Sequence, residues 1–386
     1  MSGGAGIAAR RICQAQTEFG LNASLLGGQI SEKKWLVDNE EIIERLPRQK
    51  IESSLVTFLQ RSLVQQDEYL TTPISINTID LQDPRIQDAD VINIHAYYNL
   101  LSNQKIAQLA KNKRVIVTMH DQRFFTGGCH YSLECNQYET LCTKCPQVRK
   151  SARTIVRIAH INEIANREAF EAISYVTPSK WLKDLAAKSS LLRNSRIEVI
   201  NNPIPSKFKK MPGMTNPELF TVGFVSENLN NPYKGISTLI EAINIVSKNR
   251  KISLLLFGSG KVSGLDPRVE LKYSRFDSDS QSAMAFNKCN LIVLPSIQDN
   301  SPSVLSESLM CGIPVIASQV GGITEILSQF GLPGFPPGDF EKLAELMDSL
   351  ASMRPEFPLL ANAGKFLSYS AGAAKYKAVY ESALSQ

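Results

Sequence analysis

No stretch of this 386-residue sequence supplies the roughly 18 uninterrupted apolar residues of a membrane-spanning helix. The start, Met1-Ser-Gly-Gly-Ala-Gly, has no basic segment leading into an apolar one, so a secretory leader is not expected and the cytoplasm is the expected location. Long Lys/Arg blocks are missing too. The net charge is only +5 and its basic residues are scattered, which excludes nucleic-acid arms and leaves a modest attraction to anionic substrates or an anionic membrane face. Cysteine is scarce, seven in all, too few for a disulfide scaffold. Yet Cys129, Cys135, Cys142 and Cys145 crowd together and need a local explanation. With 43% hydrophobic and 20% charged residues, a mainly disordered chain is excluded.

The length fits two domains of roughly 150 to 200 residues each. Short apolar runs rich in β-branched residues, Asp90–His95, Arg114–His120, Ile173–Pro178 and Ile197–Pro203, read as buried parallel strands. Helical periodicity falls between them at Ser102–Lys111 and Ser179–Lys188. Further strand and helix signals lie at Asn22–Leu26 and Lys50–Gln65. Ahead of the first helical pattern, Gly4–Phe19, only a few residues stand where a doubly wound domain normally begins with a strand, so either the start is truncated or the domain lacks its first strand. Residues 204–217 are rich in Pro, Lys and Ser without periodicity and read as a linker. Alternation then restarts, with strands at Leu219–Val225, Ser253–Phe257, Leu291–Leu294 and Pro314–Ala317 and helices at Gly235–Lys248, Ser280–Asn287 and Ser303–Met310. The expected class is α/β, with two doubly wound Rossmann-like domains, 1–203 and 218–365, facing each other across a cleft. A helix in 366–386 is expected to return to the first domain.

The segment Pro295-Ser-Ile-Gln-Asp299-Asn-Ser-Pro-Ser-Val-Leu-Ser-Glu307, continuing through Cys311-Gly-Ile-Pro314 to Gly321-Gly-Ile-Thr-Glu325, places one acid after a strand and a second within the following helix. It resembles the signature of glycosyltransferase family 4, retaining enzymes of the GT-B fold. The likeness extends to Gly3-Gly4, the His120 region and Lys234-Gly235. Thr118-Met-His120-Asp121 with Phe125-Thr-Gly-Gly-Cys129-His130-Tyr131 and Cys142-Thr-Lys-Cys145-Pro resembles the branch of exopolysaccharide and colanic-acid-type assembly.

That resemblance implies a role for each matching position. Glu307 would accept hydrogen bonds from the ribose hydroxyls of a nucleotide, a task for a bidentate acceptor. Asp299, with Asn300 and Ser301, would hold the donor sugar. The family normally carries Glu there, and Asp reaches about one C–C bond, roughly 1.5 Å, less far. Lys234 would neutralise the departing diphosphate, Gly258 would belong to the donor site, and Gly3 and Gly4 would let backbone approach the diphosphate at a helix N-terminus. His120 would touch the transferred sugar, with His95 near the acceptor pocket. Many relatives carry an Arg shortly before the lysine, and Val225–Asn231 has none. No catalytic metal or other cofactor is expected.

The cysteine insert, 129–145, contains one C-x-x-C pair and fits a structural zinc site of four thiolates, or of three with His130. Reduced buried thiols fit the same spacing, and disulfides fit an oxidising compartment. Taken together, the expected function is transfer of a sugar from a UDP- or GDP-sugar to a glycan or lipid-linked hydroxyl, in extracellular polysaccharide, lipopolysaccharide or glycolipid synthesis. Peripheral contact with the inner membrane face is compatible with it. The competing expectation is a catalytically weak sugar-nucleotide-binding subunit that partners another transferase.

Overall fold

A computed structural model describes residues 3–27, 40–42, 62–64 and, apart from 73, 75–76, 78, 99 and 277, residues 71–353 and 362–385. The helix read at Lys50–Gln65 lies almost wholly outside the described residues. The chain divides into two compact units. Residues up to Ile200 and from Ala374 onward form the first, and Asn201–Ala373 the second.

In the first unit, β3 (Val91–His95), β4 (Arg114–Thr118), β5 (Ser174–Thr177) and β6 (Ile197–Val199) form a parallel sheet in that order, and β1 (Leu25–Gly27) pairs with β2 (Glu40–Ile42) separately. The runs expected as strands are these strands, because β-branched residues suit a sheet buried on both faces. One face packs Val115 and Val117 against Ile106, Phe124, Phe170 and Tyr175. The other gathers Ile116 and Val176 with Ile12 from the first helix, Gly3–Glu18, and Tyr376 and Ala383 from the last, Tyr369–Leu384. The last helix thus completes the first unit, where the Tyr380 hydroxyl accepts from Gln16 at 2.6 Å and from Asn93 at 3.0 Å. Serines set the helix starts: Ser102 accepts from the Lys105 amide at 3.2 Å and Ser179 from the Leu182 amide at 3.1 Å.

The second unit holds six parallel strands, β7 (Phe220–Asn228), β8 (Ile252–Ser259), β9 (Glu270–Ser274), β10 (Leu291–Leu294), β11 (Val315–Ser318) and β12 (Gly334–Phe335). Their spatial order is β12-β11-β10-β7-β8-β9. The chain therefore builds outward from β7 in one direction, then returns to build from β10 in the other. Such a reversal is the switch point beside which doubly wound sheets bind ligands. The sheet is the middle of three layers: Leu291 and Val293 point into a core with Leu239, Ile243, Leu343 and Met347, whereas Ile292 and Leu294 meet Phe286, Leu305 and Leu309 on the other side. Of the stretch expected as a linker, Ile204 and Phe208 are buried in this second core. Their apolar side chains outweigh the Pro- and Lys-rich composition around them. The charged and mostly exposed Glu-Leu-Lys-Tyr-Ser of β9 is an edge strand with no apolar run to mark it in the sequence.

Candidate active site

The loops after β7 and β10 bracket the switch point, and close backbone contact locks them together. Asn228, Asn231 and Pro232 turn the chain through the short 3₁₀ helix Pro232–Lys234 to Gly235, which starts the helix Ile236–Val246. Gly235 sits at φ 67°, and a Cβ there would stand 1.9 Å from the Pro295 carbonyl oxygen. Only glycine allows that approach. The Ile297 amide then donates to the Tyr233 carbonyl at 2.8 Å. A second close approach joins β7 to β8: at Gly258, φ 149°, a Cβ would lie 1.8 Å from the Ser226 carbonyl oxygen. Ser259 Oγ donates to the Glu227 carbonyl at 2.6 Å and the Leu229 amide to the Ser259 carbonyl at 2.8 Å. Gly258 is thus a backbone necessity as well as a predicted donor-site position.

Lys234 and Asp299 meet directly on this frame. Lys234 Nζ donates to Asp299 Oδ2 at 2.6 Å, and the Asp299 side chain is only 7% exposed. Ser296 Oγ donates to the same oxygen at 3.4 Å, and the Asn300 amide to Oδ1 at 3.0 Å. The Asp299 carbonyl accepts from the Gly322 amide at 3.3 Å, tying the Gly321-Gly322 turn into the site. Asn300 is buried, Ser301 half-buried, and Glu307 lies buried within the helix Ser303–Met310 that follows. The N-terminal end of that helix bears a partial positive charge next to Asp299 and Asn300.

Gly3, Gly4, His95 and His120 belong to the first unit. Gly3, at φ 83°, opens the first helix, and Gly4 has open space where a Cβ would be. His95 closes β3 and His120 follows β4; their rings stack with centroids 5.4 Å apart, Nδ1 of His95 lying 3.1 Å from Nε2 of His120. One ring therefore donates and the other accepts, and at least one is neutral. Burial, reinforced by the neighbouring His120, holds His95 well below its ordinary value, and burial lowers His120 to about 4 against the opposing pull of Asp121.

The residue after His120 anchors a network that spacing alone did not show. Asp121 accepts from the Tyr98 hydroxyl, from His130 Nδ1 at 2.7 Å and from the Arg123 amide at 2.8 Å. Burial works to raise its pKa, but His130, Tyr98 and the Arg123 amide outweigh it and the net shift is downward. His130 Nε2 reaches Thr72 at 3.1 Å, so both ring nitrogens are engaged. The hydroxyls of Tyr376 and Tyr380, in the last helix, also contact strand polar groups at Thr118 and Asn93. Hydrogen bonds spanning 258 and 287 residues leave no local signature.

Two parallel-sheet α/β units, the second with this switch point and its Lys–Asp pair, are the GT-B fold of glycosyltransferases. Residues 219–353 match the family described as "Glycosyl transferases group 1". The "Putative colanic acid biosynthesis glycosyl transferase WcaC" of Escherichia coli (strain K12) is 27% identical over 254 residues, covering 62% of this chain and 61% of that protein. The chain thus matches about three fifths of this relative's length. Sucrose-phosphate synthase from Thermosynechococcus elongatus superposes with a TM-score of 0.67 at 16% identity, over 100% of this chain and 94% of its own. Anabaena Alr3699/HepE, solved in complex with UDP-glucose, gives 0.66 at 15% identity over 99% and 97% of the two chains. At such identities, the superpositions speak for the fold.

Proposed function

We propose that this protein is a retaining glycosyltransferase that takes a sugar from a nucleoside-diphosphate sugar, UDP- or GDP-linked, for extracellular polysaccharide or related glycolipid synthesis. The observation that carries the reading is the placement of Lys234, Asp299 and Glu307 at the switch point of the segment that matches the glycosyl transferases group 1 family. The relative named for colanic acid biosynthesis supports the polysaccharide assignment, and the HepE complex with UDP-glucose supports a nucleotide-sugar donor.

Each residue's part follows from its chemistry. Glu307 is a fixed acceptor for two ribose hydroxyls, which keeps the nucleotide in one orientation. Lys234 supplies a compact positive charge to the diphosphate as negative charge grows on the leaving oxygen. It can do so only by sharing or leaving Asp299, whose carboxylate is then available to accept from sugar hydroxyls. Donor entry would thus trade one charge-assisted bond for two new ones. The departing diphosphate itself takes the proton from the acceptor hydroxyl, so this chain contributes orientation and electrostatics without a nucleophile of its own. His120 and His95, held neutral, are suited to accept from or donate to sugar hydroxyls.

The deciding experiment is a thermal-shift screen with UDP-, GDP-, ADP- and dTDP-sugars, followed by donor hydrolysis with the stabilising one. Stabilisation by one nucleotide class and measurable hydrolysis are expected. The Lys234–Asp299 pair also favours a second reading, a sugar-nucleotide-binding subunit with little turnover. Stabilisation without hydrolysis would select it.

Among the described residues no helix is long and apolar enough to cross a membrane. The helix Arg153–Ala165 exposes Ile155, Ile158 and Ile161 on one side, beside Lys150, Arg153 and Arg157. An apolar stripe with basic flanks suits peripheral binding to an anionic lipid surface, where a lipid-linked acceptor would be found.

A further inference from the structure

Glycosyl transfer makes no use of the four cysteines that follow β4. Cys129, Cys135, Cys142 and Cys145 all line one cavity of about 10 Å3, room for a single water-sized sphere. None is paired in a disulfide. Two groups aim N–H donors at the sulfurs: the Gly127 amide donates to Cys142 Sγ at 3.4 Å, and Gln137 Nε2 to Cys135 Sγ at 3.7 Å. Gly127 permits this approach, since a Cβ there would lie 2.9 Å from the Cys142 Cβ and 2.6 Å from Val156.

Gln137 also shapes the Cys142-Thr-Lys-Cys145 turn from inside. Its Oε1 accepts from the Thr143 amide at 3.0 Å and the Lys144 amide at 2.8 Å, and its Nε2 donates to the Lys144 carbonyl at 3.1 Å. A turn wrapped around a polar side chain, with amides directed at sulfur, is how thiolate charge is stabilised next to a soft cation. His130, the alternative fourth ligand, is ruled out because Asp121 and Thr72 occupy its two ring nitrogens.

We propose that Cys129, Cys135, Cys142 and Cys145 together hold one structural zinc ion. Among the described residues no group of three or more His, Cys, Asp or Glu side chains is placed to hold a metal ion as it stands, the four cysteines included. Binding therefore draws the sulfurs inward, to about 2.3 Å from a common centre. Four thiols lose four protons to solvent as four Zn–S bonds form, leaving a site of net charge −2. The Gly127 and Gln137 donors and the Arg153 guanidinium offset that charge, and Arg153 Nε already donates to the Cys145 carbonyl at 3.3 Å. The site stands apart from the transferase reading, but it bears on the same unit. Cys129 adjoins His130, so a closed zinc site pins the partner of Asp121 and with it the turn that carries His120.

The test uses the intact chain purified under reducing conditions without chelator or a His-rich tag. Elemental analysis is expected to find one zinc per chain. Cobalt(II) exchanged into the protein should give the visible bands and the thiolate-to-metal charge-transfer absorption of tetrahedral sulfur coordination. Cys142→Ser and Cys145→Ser should each lower zinc content at least tenfold, and Gly127→Ala should speed zinc release to a chelator. Zinc should also shield these four cysteines from maleimide until chelator is added. Absence of stoichiometric zinc together with failure to take up cobalt would overturn the proposal, as would a mass showing two disulfides within residues 129–145. If the serine variants do not fold, metal content and the cobalt spectrum of the unmutated chain decide alone. None of these readouts depends on sugar transfer, so the zinc proposal and the transferase reading can fail separately.

Discussion

Replacing Lys234 by alanine leaves a carboxylate, 7% exposed, with its cationic partner gone. Removing one member of a buried pair costs about 3–5 kcal/mol because the remaining charge keeps its desolvation penalty. Here the lysine side chain is 29% exposed. Solvent screens part of the lost attraction, and the Ser296 hydroxyl and Asn300 amide still support Asp299. These reductions bring the expected loss to about 2–3 kcal/mol. For a unit of this size each kcal/mol moves Tm by about 2–4 °C, so Lys234→Ala should melt about 4–12 °C lower. Adding Asp299→Asn removes the stranded charge, and the double variant should regain at least about 1 kcal/mol relative to additivity. Chemical denaturation of the four proteins, with donor hydrolysis alongside, is the assay. A Lys234→Ala protein as stable as its parent, with additive effects in the double variant, would refute the claim that this pair is a buried electrostatic unit. Loss of hydrolysis accompanied by normal stability would assign the lysine to the donor alone.

The remaining predictions concern separate parts of the two units. Glu307→Ala should abolish the thermal shift given by the nucleotide-sugar and reduce hydrolysis at least about tenfold, the value of one or more charge-assisted hydrogen bonds; an unchanged shift removes Glu307 from the nucleotide site. Gly235→Ala forces a Cβ against the Pro295 carbonyl and should destabilise the second unit by more than about 1 kcal/mol, read by urea unfolding. For the His95–His120 pair, the folded pKa of His120 is about 4 against an ordinary 6.5, so between these values the unfolded chain binds more protons. Stability should therefore fall as pH drops from about 6.5 towards 4, and a His120→Gln variant, having lost that titration, should show a shallower fall. Ile158→Asp should weaken cosedimentation with vesicles rich in anionic lipid while leaving soluble donor hydrolysis intact; equal binding by both proteins excludes the Arg153–Ala165 helix as the contact.

How much of this was legible in the sequence depended on how local the cause was. The strands β4, β10 and β11 announce themselves as short β-branched runs, because strands covered on both faces have no polar side to interrupt them. Lys234, Asp299 and Glu307 stood out through the resemblance to the family 4 signature, and the structure does bring the first two into contact. What the sequence could not convey was that this contact joins residues 65 positions apart. The same holds for the His95–His120 stack, which depends on adjacent strands ending at the same level. Exposed Glu270–Ser274 became a strand only because its neighbour β8 offers backbone partners. Ile204 and Phe208 show the converse, apolar side chains claimed by a core despite linker-like surroundings.

The bond between Gln16 and Tyr380 spans 364 residues of chain. At synthesis rates of about 5–20 residues per second, Gln16 waits roughly 20–70 s for its partner to be made. From the time each is made until the last helix follows, Ile12, Ile116 and Val176 have no Tyr376 or Ala383 to cover them, and the second unit, ending at Ala373, is complete before they are covered. The half of the protein made first is therefore the half finished last. A truncation just after Ala373 should leave an intact second unit attached to a first unit with an open, aggregation-prone face.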